Sequence, residues 1–363
     1  MTGPVCAPRL SRRALAGVCG LVLTRSRPVR ARESDVDTIV AAMTLRERAA
    51  RMFMFPVSGK VLSVEDGGWL RALKPAGVIL VGGNFSTPEE VTALVAAIHA
   101  TNPELPPLVA LDQEGGIVSR IADDPAPDAL TMGQLPAAEI STLARARAAR
   151  LAAYGFDVNF APIADVAFTP DSFMTGRAFG NDPVVVAQDV GAYLAGVDGT
   201  GVLHGVKHFP GHGRVSVDSH EALPVLDVDP ATWWEEDALP FRVAVEAAVP
   251  MVMLGHLAVP SWDELPASLS SEAVRVLRED LGFTGVIVSD DLGMGALATW
   301  TSFQIVDLAV KAGNDLLLFV VTTVEPAALV DHLAAQVESG EVPPERLAAS
   351  VSRLLRMQLG LNR

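Results

Sequence analysis

Eight short apolar runs recur along this chain from residue 52 onward, each separated from the next by a longer stretch of helical periodicity. They are MFMFPV (52–57), GVILVG (77–82), LVALDQ (108–113), VNFAPIAD (158–165), GVKHF (205–209), MVMLGH (251–256), GVIVSDD (285–291) and DLLLF (315–319). Apolar runs this short, bounded by turn residues, read as strands covered on both faces, and the Ala- and Leu-rich stretches 88–100, 187–201 and 270–282 read as the covering helices. The last has a serine to cap its start and a glycine at its end. Eight strand-and-helix units predict an α/β fold of one domain, a (β/α)8 barrel of the TIM type spanning residues 35–363. No internal repeat or low-complexity linker marks a second domain. Segment 118–139, rich in Pro and Asp, reads as a long loop on the catalytic face.

Asp112, Asp165, Lys207, His208, His256 and Asp290 stand at the ends of these runs. Each Asp alone reads better as the cap of the next helix. Together they predict one rim, because barrel enzymes assemble their sites from the carboxyl ends of several strands. His256 has two readings, one pointing into the site and one hydrogen-bonded beneath it.

Residues 1–31 have another character. Seven arginines, Arg9, Arg12, Arg13, Arg25, Arg27, Arg30 and Arg32, precede the first acidic residue, Glu33. Twin arginines, an apolar run of 11 residues (14–24) and Val29-Arg30-Ala31 resemble a twin-arginine export leader, so a location outside the cytoplasm is expected, with a disordered tail on a cytoplasmic protein as the alternative. The run is too short to span a bilayer, and no stable membrane span is expected. Removing the leader's six arginines from 28 basic residues leaves 22 against 43 acidic ones, about −21, which repels phosphate backbones and excludes nucleic-acid binding. Both cysteines, Cys6 and Cys19, lie in the leader, so the remainder carries no thiol or disulfide chemistry.

The stretch GVKHFPGHGRVSVDSH (205–220) is the densest in chemistry. His204, His208 and His212 are spaced by four, but Gly205, Pro210, Gly211 and Gly213 prevent a helix, and on a strand these positions are too far apart for one ion. No metal and no cofactor are expected. In Asp218-Ser219-His220 a carboxylate two residues before an imidazole can accept its ring N–H, making a proton shuttle near neutral pH. The bland alternative is an Asx turn with a surface histidine. Gly211 and Gly213 read as making the preceding loop mobile enough to carry the pair to a substrate. Asp290 or Asp291 offers the second group: a carboxylate can attack an anomeric carbon while the imidazolium protonates the departing oxygen, the two-step retaining route of glycosidases. Acyl transfer by Ser, His and Asp fits less well, since no G-x-S-x-G elbow occurs and Ser219 lies between its supposed partners.

KHFPGHG followed by DSH, LDQEGG (111–116), VNFAPIADV (158–166), GRAFGNDP (176–183) and GFTGVIVSDDLGM (282–294) together resemble the bacterial β-N-acetylglucosaminidases of glycoside hydrolase family 3, of the peptidoglycan-recycling type. The resemblance implies hydrolysis of terminal N-acetyl-β-D-glucosamine from cell-wall or chitin-type oligosaccharides. Asp290 is then the nucleophile and His220 the general acid/base assisted by Asp218, while Asp112, Arg120, Arg177, Lys207 and His208 hold the sugar. Asp291 reads as a structural acceptor. Two positions depart from the family's pattern: Ile117 stands where an arginine usually follows DQEGG, and Gly83-Asn84 replaces Arg-Asn after the second strand. These put substrate choice in question. A phosphorylase or another β-glycosidase on the same scaffold, and a catalytically silent sugar-binding protein, remain as alternatives. Trp233 and Trp234 read as barrel packing, and His99 and His332 as surface residues.

Overall fold

The computed structural model describes residues 33–360. Residues 1–32, which hold the expected leader and both cysteines, lie outside the described residues. Eight strands form: β1 (Phe53–Pro56), β2 (Gly77–Ile79), β3 (Leu108–Leu111), β4 (Val158–Asn159), β5 (Leu203–Phe209), β6 (Met251–Leu254), β7 (Val286–Ser289) and β8 (Leu317–Leu318). They pair in parallel in the order β8-β1-β2-β3-β4-β5-β6-β7. A parallel bridge between Val288 and Leu316 joins the ends, with the Ser289 N–H donating to the Leu316 carbonyl at 3.0 Å. All eight expected runs thus become strands of one barrel.

Side chains alternate along each strand, as a period of two requires. Met54, Ile79, Ala110, Val158, Met251, Met253, Val286, Val288, Leu316 and Leu318 fill the barrel interior. Their neighbours Phe53, Phe55, Leu317 and Phe319 face outward into the layer beneath the helices. Apart from β5, which begins two residues before its run, the strands are shorter than the apolar runs. The run 158–165 pairs as a strand only over Val158–Asn159, because Pro162 lacks the N–H a ladder needs.

The covering helices begin on side-chain caps. Thr87 accepts the Glu90 N–H before the helix Pro88–His99, and Asp182 accepts from Val184 and Val185 before Pro183–Val197. Ser270 caps Ser271–Arg275, and the segment runs on through a π turn to Gly282, as the sequence suggests. The expected loop 118–139 is interrupted by a helical turn, Ala129–Met132, capped by Asp128, and ends where the helix Ala137–Tyr154 starts. Trp233 is buried against Phe209 and Trp262, which confirms its packing role, while Trp234 lies partly exposed beneath Arg242. His99 and His332 are not the surface residues expected: each is half-buried and bonded to an aspartate, Asp157 at 2.6 Å and Asp307 at 2.8 Å. Among the described residues no helix is long and apolar enough to cross a membrane.

On the helix Pro183–Val197, Asp189 is buried and its Oδ2 has no hydrogen-bond partner among the described residues. Burial pushes its carboxyl up to about 6. The folded protein therefore binds this proton more tightly than the unfolded chain, and stability falls as pH rises from the ordinary carboxylate range through 6. Asp189→Asn is expected to raise the melting temperature at pH 8, with the gain shrinking towards pH 4. Thermal unfolding at both pH values checks this, and an equal gain at each would contradict it.

Candidate active site

The expected rim forms at the carboxyl ends of the strands, and three carboxylates organise it, two of them buried and the third partly open. Asp165, fully buried, accepts the backbone N–H of His212 at 2.6 Å and that of His208 at 3.2 Å, and its Oδ2 lies 2.7 Å from His208 Nδ1. Burial alone would raise its pKa, but His208 and His212 outweigh this and hold it below the ordinary range. A carboxylate there fixes the proton on His208 Nδ1, so Nε2 faces the opening, 3.9 Å from Asp290 Oδ2.

The second organiser is Glu114. Its carboxylate accepts both Nε and a terminal nitrogen of Arg177, at 2.9 and 2.8 Å, and also meets Lys207 Nζ at 2.7 Å. Lys207 reaches Asp112 Oδ1 at 2.6 Å as well. Burial opposes ionisation of both partners, yet the opposite charges win: Glu114 is held well below the ordinary range and Lys207 above its own. Beneath them Arg147, fully buried, donates to the Glu114, Ala126 and Pro127 carbonyls and to Asp124. This holds the loop that carries Arg120, whose N–H donates to Gln113 Oε1 at 2.7 Å. The Arg120 Nε is buried with no partner among the described residues. Asp112, Lys207, His208, Arg177 and Arg120 therefore all belong to the rim or the loops over it.

Glu114→Ala would leave Arg177 unpaired and Lys207 with only one carboxylate. A loss of about 3 kcal/mol in stability is expected, the cost of breaking a buried pair from one side, together with a raised KM. Denaturant unfolding and steady-state kinetics check this, and unchanged values in both would show that Glu114 does not brace the rim.

Asp290 follows β7 and is the third. Its N–H donates to the Leu254 carbonyl, and its Oδ1 accepts the Asp291 N–H at 2.8 Å. Burial raises its pKa, but neighbouring His208, His256 and Lys207, together with the Asp291 N–H, outweigh this and hold it below the ordinary range. Asp291 turns away: its Oδ1 accepts the N–H groups of Gly293 and Val320 at 2.9 and 2.8 Å, tying the β7 loop to the β8 loop. His256 takes the second of its two readings. It is fully buried beneath the site between Ser268 Oγ and the Asp291 carbonyl, and burial lowers its pKa.

The Asp218–His220 pair is formed, with Nδ1 to Oδ1 at 2.7 Å, and the His220 side chain is 65% exposed. Bonding at Nδ1 leaves Nε2 free to face a ligand. Phe173 packs beside it, its ring 6.3 Å from that of His220, 5.0 Å from that of His212 and 5.6 Å from the Arg177 guanidinium. The mobile-loop reading of Gly211 and Gly213 is corrected. Both are buried, and a Cβ on Gly213 would sit 1.7 Å from the Val166 carbonyl oxygen, so that glycine serves a close backbone approach. Gly211, at φ +122°, occupies backbone space that other residues rarely enter.

His204 lies against Tyr193 and the Val202 carbonyl, away from His208 and His212. Among the described residues, no group of three or more His, Cys, Asp or Glu is placed to hold a metal ion. Ile117 stands at the tip of the turn after β3, 80% exposed. Gly83 lies exposed in a turn held by Asn84, which bonds the Val57 and Gly59 carbonyls. Sequence reasoning assigned no role to Glu114 or Arg147; the acidic residue inside LDQEGG was the available signal for the first.

An ionised carboxylate at a partly open rim can attack an anomeric carbon, and an imidazole aligned by a carboxylate can protonate the departing oxygen. The class so defined is a glycoside hydrolase on a (β/α)8 barrel. Residues 44–357 match the glycosyl hydrolase family 3 N-terminal domain, and the chain belongs to that family. Beta-hexosaminidase LpqI of Mycobacterium tuberculosis is 35% identical over 339 residues, 88% of this chain and 84% of that protein. Its solved structure superposes with a TM-score of 0.79 at 33% identity, covering 89% of this chain and 96% of that one. A glycoside hydrolase family 3 beta-N-acetylglucosaminidase from a Paenibacillus species gives a TM-score of 0.84 at 32% identity over 89% of this chain, which spans only 64% of that longer protein.

Proposed function

We propose that this chain is a β-N-acetylhexosaminidase that releases terminal non-reducing N-acetyl-β-D-glucosamine with retention of configuration. The observation that carries the reading is an ionised Asp290 on the same rim as the Lys207–Glu114–Arg177 clamp, with the Asp218–His220 pair on the loop that follows β5. The beta-hexosaminidases among its relatives support it.

Asp112, Arg120, Arg177, Lys207 and His208 hold the sugar hydroxyls. An Asp290 oxygen attacks the anomeric carbon, the bond to the leaving oxygen breaks, and the His220 imidazolium gives its Nε2 proton to that oxygen. In the second step neutral His220 removes a proton from water, whose oxygen attacks the same carbon and expels Asp290 as a carboxylate. Asp218 stabilises the imidazolium and fixes its tautomer. Burial works against its ionisation, but the His220 backbone and ring N–H groups hold it below the ordinary range.

A twin-arginine-like leader supports export, where the enzyme would meet cell-wall or chitin-type oligosaccharides. Hydrolysis of 4-nitrophenyl N-acetyl-β-D-glucosaminide beside the matching β-glucoside, each with and without phosphate, tests the activity. A clear preference for the N-acetyl sugar, independent of phosphate, is expected. Acceleration by phosphate would establish the phosphorylase instead, and no turnover of either would favour a silent sugar-binding protein.

A further inference from the structure

The exposed His220 sits on a loop that is fastened on both sides, and the fasteners lie outside the residues so far given a role. Upstream, Arg214 donates its Nε to both oxygens of buried Asp237 at 3.0 and 2.8 Å, and a terminal nitrogen to Glu236. Its guanidinium lies 3.8 Å above the Phe168 ring. Trp233, on the same π turn as Asp237, donates its indole N–H to the Pro210 carbonyl at 2.9 Å. The β4 loop grips the other side, where the N–H groups of Phe168 and Phe173 donate to the Gly213 and Val215 carbonyls.

Downstream, His212 Nε2 meets Ser219 Oγ at 3.2 Å in a buried contact. Burial first, then neighbouring His208, brings His212 down to about 4, so it is neutral at neutral pH. Its Nδ1 is buried without a partner among the described residues, which favours the tautomer with the proton on Nε2, donated to Ser219, because an orphaned acceptor costs less than an orphaned N–H. The Ser219 and His220 carbonyls accept from Ala296 and Gly295 at 3.1 Å. Since the His212 N–H is held by Asp165, which also holds His208, one hydrogen-bonded path runs from the neighbour of Asp290 to the residue preceding His220.

We infer that Arg214, through Asp237 and Glu236, and His212, through Ser219, are positioning residues that hold His220 over the opening. The inference rests on the reading of His220 as the general acid. Neither residue touches substrate. Each acts by fixing where the imidazole stands, and a displacement of about 1 Å at a reacting group costs on the order of 100-fold.

The test compares kcat/KM, which reports the glycosylation step, on a good leaving group (4-nitrophenyl N-acetyl-β-D-glucosaminide) and a poor one (an N-acetylglucosamine disaccharide). Arg214→Ala and Ser219→Ala are each expected to lower the disaccharide value at least tenfold while leaving the nitrophenyl value within about threefold, since only the poor leaving group depends on a placed proton. Arg214→Lys keeps the charge but loses the fork, and should recover part of the loss. Equal losses on both substrates, or none on either, in Ser219→Ala and in Arg214→Lys would overturn the inference, and these two variants decide it should Arg214→Ala fail to fold. If His220→Ala itself showed no dependence on the leaving group, the reading of His220 would fail instead.

Discussion

Asp290→Ala lowers kcat by about four orders of magnitude or more, a barrier rise of at least ~5 kcal/mol at about 1.4 kcal/mol per decade. The size follows from the role. Asp290 is proposed to form and then break the only covalent bond between enzyme and sugar, and no neighbouring carboxylate can substitute. Asp291 is occupied by the Gly293 and Val320 N–H groups, and Asp112 by Lys207. The fold survives the change, because among the described residues the Asp290 side chain accepts one backbone N–H, that of Asp291, and lies outside the β7 ladder. Steady-state rates with a circular dichroism melt check both halves. Rates within tenfold of the parent in a folded variant would remove Asp290 from the nucleophile's role.

His220→Ala separates substrates by their leaving groups. A nitrophenolate departs without a proton, so kcat/KM on 4-nitrophenyl N-acetyl-β-D-glucosaminide should fall by no more than about tenfold. A disaccharide needs the proton, and should lose on the order of 10²- to 10⁴-fold, the usual worth of general acid catalysis. Because the second step also lacks its base, kcat on the nitrophenyl substrate should fall further than kcat/KM, with a burst of nitrophenol. The 65% exposure of the His220 side chain makes folding damage a small part of any loss. Equal losses on both substrates would show that His220 is not the acid.

The eight strands were legible because each is a short apolar run, and the rim was legible because polar residues close those runs. Asp112, Lys207, His208 and Asp290 all stand where a strand-end reading puts them, and Asp218 with His220 pairs locally enough for spacing to reveal it. Long-range partners could not be read. Asp165 holds His208 and His212 from more than 40 positions away, and Arg214 finds Asp237 at a separation of 23. Glu114 was assigned no role, although it joins Lys207 to Arg177. Gly211 and Gly213 misled for a related reason: in a sequence, a glycine needed for close backbone approach looks the same as one that confers mobility. His99 and His332 likewise carried no sign of the aspartates that draw them partly inward.

The measurement that bears most directly on the mechanism is peptide mapping by mass spectrometry after reaction with a fluorinated N-acetylglucosaminide bearing a good leaving group, which slows release of the glycosyl-enzyme more than its formation. One sugar attached at Asp290, within the peptide that spans VIVSDD, is the expected result. Turnover with no adduct and an inverted anomeric product, or an adduct on any other residue, would contradict it.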